Sequence, residues 1–367
     1  MPIRLFLIIC IFISAFCAAP AYAELPDPHF EVVAELEQGP GNIAVTPEGR
    51  IIISQHQFYD PKYRVVEVLA DGSVKPFPNE GWSTAPSDEK PGLHAVLGIV
   101  CDARGIVWML DNGGGKGMPK LLGWDTRTDK LHKVIYIPAP AAGPKTFLND
   151  LAVDLKHDTA YIADIGGERE PAIVVVNLIS GASRRVLAGH KLVSTQDLPM
   201  VIDGEMVTRG KGDQASRASL GINPITIDPS YNWVYFGAMH GDDVLRVRTM
   251  YLLDETLSEE ELAERIHRYG PKPVSDGISI DAGGYVYVTD VTNKAIGVTT
   301  PMGEYKIYVM DERLLWPDGI AAGPDGYFYA TVNKLHRSAF LNAGKNESEP
   351  PYYIVRFKAI AGSVVGR

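Results

Sequence analysis

Cysteine is nearly absent: three in 367 residues, at positions 10, 17 and 101. A disulfide framework is therefore excluded, and the lone Cys101, set in the apolar run Gly98-Ile99-Val100-Cys101, reads as a small buried hydrophobe. The chain also lacks an excess of basic charge, with 35 Lys and Arg against 45 Asp and Glu. That balance argues against a nucleic-acid partner and favours cations or amines. No apolar run is long enough to span a bilayer. The longest, residues 5–16, follows Arg4 and precedes Ala21-Tyr22-Ala23. A basic residue, a short apolar stretch and an A-x-A site make a secretory signal peptide. Phe16 is too bulky for lipoprotein processing at Cys17. The expectation is removal of residues 1–23, a mature chain from Glu24, and a secreted or periplasmic monomer with no membrane attachment.

What the sequence has instead is a repeat. Six segments share a small or polar residue, a short apolar strand, a turn rich in Asp, Gly or Pro, and a second strand rich in Val, Tyr or Trp. The first strands are Asn42-Ile43-Ala44-Val45, Gly98-Ile99-Val100-Cys101, Asp150-Leu151-Ala152-Val153, Pro224-Ile225-Thr226-Ile227, Gly277-Ile278-Ser279-Ile280 and Gly319-Ile320-Ala321-Ala322. Each begins a tight hairpin, and further strands follow most of them. About four strands per unit, repeated six times, predict an all-β chain: a six-bladed β-propeller over residues 24–367. One hairpin cannot bury its faces, whereas radial stacking can. Strands over 29–36 and 352–358 are expected to pair within one blade and close the ring. Residues 258–269 read as one helix between blades four and five, with Ser258 as cap and Glu261 three residues on. Residues 55–94, 113–119 and 188–220 read as long loops over one face.

Two positions ahead of the first apolar residue of each repeat stand Gly41, Leu97, Asn149, Asn223, Asp276 and Asp318; Gln55, Asp111, Asp164, Gly237, Asp290 and Val332 end the second strands. Both sets should ring one mouth of the central channel. Asp and Asn disfavour strands, so their recurrence there points either to a site or to turn capping, and Asp-Gly at 276–277 and 318–319 is also an ordinary turn pair. Convergent oxygens suit a hard cation such as Ca²⁺, an amine or a polar ring. The ligand-binding candidates are Asn149, Asn223, Asp276 and Asp318. His56, His94 and His240 lie at the same end. Gly113-Gly114-Gly115-Lys116 lacks phosphate-loop spacing and reads as a flexible loop.

Four stretches resemble the yellow/major royal jelly protein family. They are the run from Val107 to Gly113, Phe147-Leu148-Asn149-Asp150 with Ala160-Tyr161-Ile162-Ala163-Asp164, Asn223 to Asp228 with Trp233-Val234-Tyr235-Phe236, and Asn293-Lys294-Ala295-Ile296-Gly297. The resemblance implies a propeller akin to the gluconolactonase/senescence-marker proteins, with insect members linked to pigmentation or to small amines held in the channel. Lactonase-like propellers hold an axial divalent metal through Glu, Asn and Asp. Asn223 and Asp276 match the metal Asn and Asp, and Asn149 with Asp150 matches the pair on the substrate side. Where the Glu belongs, this chain has Gln38, before Gly39-Pro40. Gln offers a carbonyl oxygen but no charge. Three readings stand open. One is a binding protein for a small polar or aromatic ligand, such as an amine. Another is a metal-dependent lactonase or isomerase, with Ca²⁺ or another divalent cation on Asn223, Asp276 and Gln38, and Asp150 or Asp164 as base. The last is an interaction scaffold.

Overall fold

In a computed structural model, residues 24–366 are described except Glu89, Pro144 and Glu168; the expected signal segment lies outside them. Six four-stranded antiparallel sheets follow one another along the chain. Their innermost strands are Pro40–Val45, Val96–Cys101, Leu148–Asp154, Ile222–Ile227, Ser275–Ile280 and Pro317–Ala322. These contain all six of the apolar segments picked out by the repeat. Each second strand is the expected hairpin partner. The ring closes as expected: Glu31–Leu36 is the outermost strand of blade six, paired with Tyr352–Lys358 so that Leu36 faces Tyr352.

The core explains why the strands are apolar on both faces. Six hydrophobic clusters lie between neighbouring blades. One joins Ala44 and Ile52 to Ile99, Val107 and Trp124; another joins Trp108 and Leu110 to Leu151 and Ile162. The last interblade cluster joins Ala321, Tyr329 and Ile354 to Ile43, Ile53 and Val66 across the closure. A blade's two faces thus serve two interfaces, and Ile106–Asp111 is buried at every position. A seventh cluster lies above the ring. Met200, Ile202, Val207 and Ala218 pack on Met239, Trp316, Leu335 and Leu341, which makes segment 188–220 a roof over one end of the channel.

Three expectations change. The helix spans only Glu259–Ala263, with Ser258 and Glu261 forming the capping box. His267–Pro271 is the fourth strand of blade four, paired with Asp243–Arg248. Completing a sheet outweighs helical propensity there, and the insertion sits inside blade four rather than after it. Segment 55–94 carries Val65–Val68 and Val74–Pro76, which complete blade one. Segment 188–220 carries two short hairpins, Val201–Ile202 with Glu205–Met206 and Thr208–Arg209 with Ser216–Arg217.

Below the mouth the axis is filled. Ile43, Ile99, Leu151, Ile225, Ile278 and Ile320, one from each blade, line a void of only about 20 Å³. The C-terminal segment crosses this lower end: Ile360 N–H donates to Tyr287 Oη, Ala361 N–H to Asp281 Oδ2, and Ser363 Oγ to the Gly323 carbonyl.

Candidate functional site

Every innermost strand carries a register shift at its upstream end, between Pro40 and Ile43, Val96 and Ile99, Leu148 and Asp150, Ile222 and Ile225, Ser275 and Ile278, and Pro317 and Ile320. Such bulges re-aim side chains. Here they direct the polar residues of the repeat into the channel. Hydroxyls on the second strands satisfy the N–H groups the bulges release. Asn42 N–H donates to Ser54 Oγ (2.9 Å) and Gly277 N–H to Thr289 Oγ1 (2.7 Å). The Asp-Gly pairs at 276–277 and 318–319 therefore lie inside strands and form no turn. Their glycines admit the next blade: a Cβ on Gly277 would sit 2.1 Å from the Asp318 carbonyl, and one on Gly319 2.1 Å from Asn42 Oδ1.

The result is a cavity with about 120 Å³ of free space. All six residues at the chosen repeat position border it: Gly41, Leu97, Asn149, Asn223, Asp276 and Asp318. Asp150 borders it too, and so does Asn42, which the repeat reading passed over in favour of Gly41. The polar groups form one linked chain and two separate pairs. Asn149 Nδ2 donates to Asn223 Oδ1, Asn223 Nδ2 to Asp276 Oδ1, and Trp316 Nε1 to Asp276 Oδ2 at 2.6 Å. Asn42 Nδ2 donates to Asp150 Oδ1 at 2.8 Å, and Asn333 Nδ2 to Asp318 Oδ2 at 2.6 Å. Above this floor stand Phe58, Phe147, Leu220, Met239, Leu335 and Phe340. Phe58 and Phe340 stack with centroids 4.0 Å apart.

Asp150 and Asp276 are buried, and Asp318 is partly open to the cavity. Among the described residues none of the three has an ion-pair partner. Burial pushes Asp150 up to about 7, and the Asp276 carboxylate adds to the shift. Burial pushes Asp276 up to about 6 against the opposing hydrogen bonds from Trp316 and Asn223. Asp318 is held well above the usual carboxylate range by burial first and then by Asp276 and Asp150. Like charges in a poorly solvated site disfavour full ionisation. His56 also borders the cavity, but burial pushes it down to about 3, so it supplies no compensating charge at neutral pH.

The other set of aspartates does something else. The residues ending the second strands, Gln55, Asp111, Asp164, Gly237, Asp290 and Val332, do not line the cavity. Asp164 accepts from Phe147 N–H (2.9 Å) and Gly166 N–H (3.1 Å) and pairs with buried Arg185. Asp111 accepts from His94, Ala95 and Gly113 N–H and pairs with Lys120 at 2.6 Å. These carboxylates tether the segments that enter the inner strands. Gln38 is half-buried in the turn before Pro40, away from the cavity. His240 accepts from Leu220 N–H under the roof, and His94 borders a neighbouring groove.

The donor set at the floor is all oxygen, as a hard divalent ion requires. Asp276 and Asn223 are the residues that would hold one, once the Asn223 amide, whose Nδ2 here donates to Asp276, is flipped to present its oxygen; Gln38 is outside that set. Among the described residues no group of three or more His, Cys, Asp or Glu is arranged to hold a metal.

The sequence of residues 94–356 matches the family model described as major royal jelly protein. This chain belongs to that family. Major royal jelly protein 3 of Apis mellifera is 33% identical over 107 residues, a stretch covering 26% of this chain and 19% of that protein. Among solved structures, a putative gluconolactonase has a TM-score of 0.58 at 13% identity, covering 95% of this chain and 98% of its own. A gluconolactonase from Xanthomonas campestris has 0.56 at 11%, with 91% of each chain covered. The calcium-binding protein regucalcin from Agrobacterium tumefaciens has 0.55 at 14%, covering 94% and 97%. At such identities the likeness establishes the fold of this chain alone, a six-bladed β-propeller.

Proposed function

We propose that the channel mouth of this family member binds a small organic cation, an aromatic amine in the first instance. One observation carries the reading: three carboxylates, Asp150, Asp276 and Asp318, meet at the floor of an aromatic-walled cavity whose one described cationic lining residue, Arg209, lies at the rim over Phe340 and forms no ion pair with them. A buried unpaired carboxylate is expensive. An ammonium group supplies the missing charge, and its aromatic body packs against Phe147 and the stacked Phe58–Phe340 pair. Contacts of a cation with such rings add about 0.5–2 kcal/mol. Asp164 has no part in this chemistry beyond fixing Phe147.

A second reading rests on the all-oxygen floor: a divalent cation held by Asp276 and Asn223, which when bound would polarise a carbonyl and acidify a coordinated water. Asp150, beside it and raised toward 7, is the candidate to accept a proton. Isothermal titration of the protein with tyramine and with Ca²⁺, Mg²⁺ and Mn²⁺ separates the two. The amine reading expects saturable tyramine binding that weakens at least tenfold in Asp318→Asn. A divalent ion that binds while tyramine does not would replace it with the second reading.

A further inference from the structure

Beside the mouth lies a larger groove of about 470 Å³, and the two share Phe58, Phe147, Gly167, Arg209 and Phe340. The aromatic collar is thus the boundary between two compartments. Their charges are opposite. On the inner side stand Asp150, Asp276 and Asp318, with Arg209 at the rim shared between the two compartments. On the outer side stand Arg64, Lys116 and Asp60. Arg209 is exposed and its guanidinium lies 5.4 Å from the centre of the Phe340 ring, at the crossing point. Lys116 is carried on the turn at Gly113–Gly115, whose three residues all have positive φ (79°, 55° and 71°). Glycine makes that path accessible and leaves backbone, not side chains, facing the groove. Arg64 is committed to the His94 and Pro61 carbonyls and contributes charge rather than free donors.

From this polarity we infer that the ligand is bipolar, with an ammonium at one end, an oxyanion at the opposite end and a flat aromatic body between. The inference rests on the amine reading of the floor and adds the far end of the molecule. With the ammonium on the carboxylates and the ring in the collar, the ring's far edge points toward Arg209 and Lys116. A sulfate or phosphate ester there meets cations. A carboxylate next to the ammonium would instead be forced onto Asp150, Asp276 and Asp318. The geometry therefore discriminates between two positions of negative charge on otherwise similar molecules.

The test is calorimetric titration of the full chain at pH 8 with tyramine, tyramine O-sulfate, tyramine O-phosphate and tyrosine. Two exposed ion pairs at low ionic strength correspond to about a tenfold gain. The O-sulfate and O-phosphate should bind about tenfold tighter than tyramine, the phosphate dianion at least as well as the sulfate; a gain confined to one ester would identify which oxyanion the groove selects. Tyrosine should bind more weakly than tyramine. The ester advantage should shrink at about 0.3 M salt, where screening acts within a few ångströms, and the ester-to-tyramine affinity ratio, both ligands measured on the same variant, should fall severalfold in Lys116→Gln. If tyramine binds and neither ester gains, the bipolar ligand is wrong and the amine site stands. If tyramine itself does not bind, the floor reading falls and this inference with it.

Discussion

Replacing Asp150 by Asn should make the protein more stable at alkaline pH while weakening cation binding. The native Oδ1 accepts from Asn42 Nδ2 and from Leu151 N–H, both at 2.8 Å. An Asn oxygen keeps both bonds and puts its NH₂ where Oδ2 stood, so the packing is preserved. What changes is the charge. Burial raises the native carboxyl from 3.8 to about 7. Because the folded pKa lies above the unfolded one, the folded state holds the proton more tightly between those values. The associated stability is present below about pH 4, declines as pH rises, and is gone above about pH 7. At 1.36 kcal/mol per unit the full effect is on the order of 4 kcal/mol, an upper bound. The assay is thermal unfolding of wild type and Asp150→Asn from pH 4.5 to 8.5. The difference should be near zero at the acid end and grow to several degrees in favour of the variant by pH 8. A difference that is constant with pH, or that favours wild type at pH 8, would refute the claim that this carboxylate is buried without a counter-charge.

Three further outcomes follow from the same site. Amine affinity in wild type should rise with pH between about 5 and 7, by up to tenfold per unit for each carboxyl that must lose its proton, and then level off; a flat calorimetric profile would show that no carboxylate ionises on binding. Asp164→Asn should destabilise by about 3–5 kcal/mol in denaturant titration, because it leaves buried Arg185 uncompensated; an unchanged midpoint would mean the ion pair is not structural. Gly319→Ala should cost about 1–3 kcal/mol and also weaken amine binding, since its Cβ displaces Asn42, the residue that holds Asp150.

The hairpins were legible in the sequence because a turn between two β-branched strands is a local signal, and the six-fold repeat turned that signal into an architecture. The ring of mouth residues was legible for the same reason: Asn149, Asn223, Asp276 and Asp318 occupy one repeat position. Asn42 was not, because its role depends on a bulge. The bulge is imposed by the approach of the neighbouring blade, which no single repeat encodes. Asp111, Asp164 and Asp290 looked equivalent to the mouth residues in sequence. Their carboxylates are consumed by nearby backbone N–H groups and by Lys120, Arg185, Asn293 and Tyr305. The helix was over-extended because Leu262 to Tyr269 has no feature that distinguishes a helical end from an edge strand until blade four offers a partner. The aromatic collar was invisible for a simpler reason. Phe58, Phe147 and Phe340 come from irregular segments outside the repeat, far apart in the chain.

The filled lower half of the axis has a bearing on kinetics. With isoleucine and leucine from all six blades beneath the carboxylates and the C-terminal segment laid across the far end, the channel is a dead end. Whatever occupies the floor enters and leaves by one route, past Phe58, Phe340 and the two short hairpins, and the water it displaces must leave against it. No competitor can push it out from behind. Residence time is then set by how often the roof opens, and tightening the roof would slow arrival and departure together while leaving the equilibrium between them unchanged.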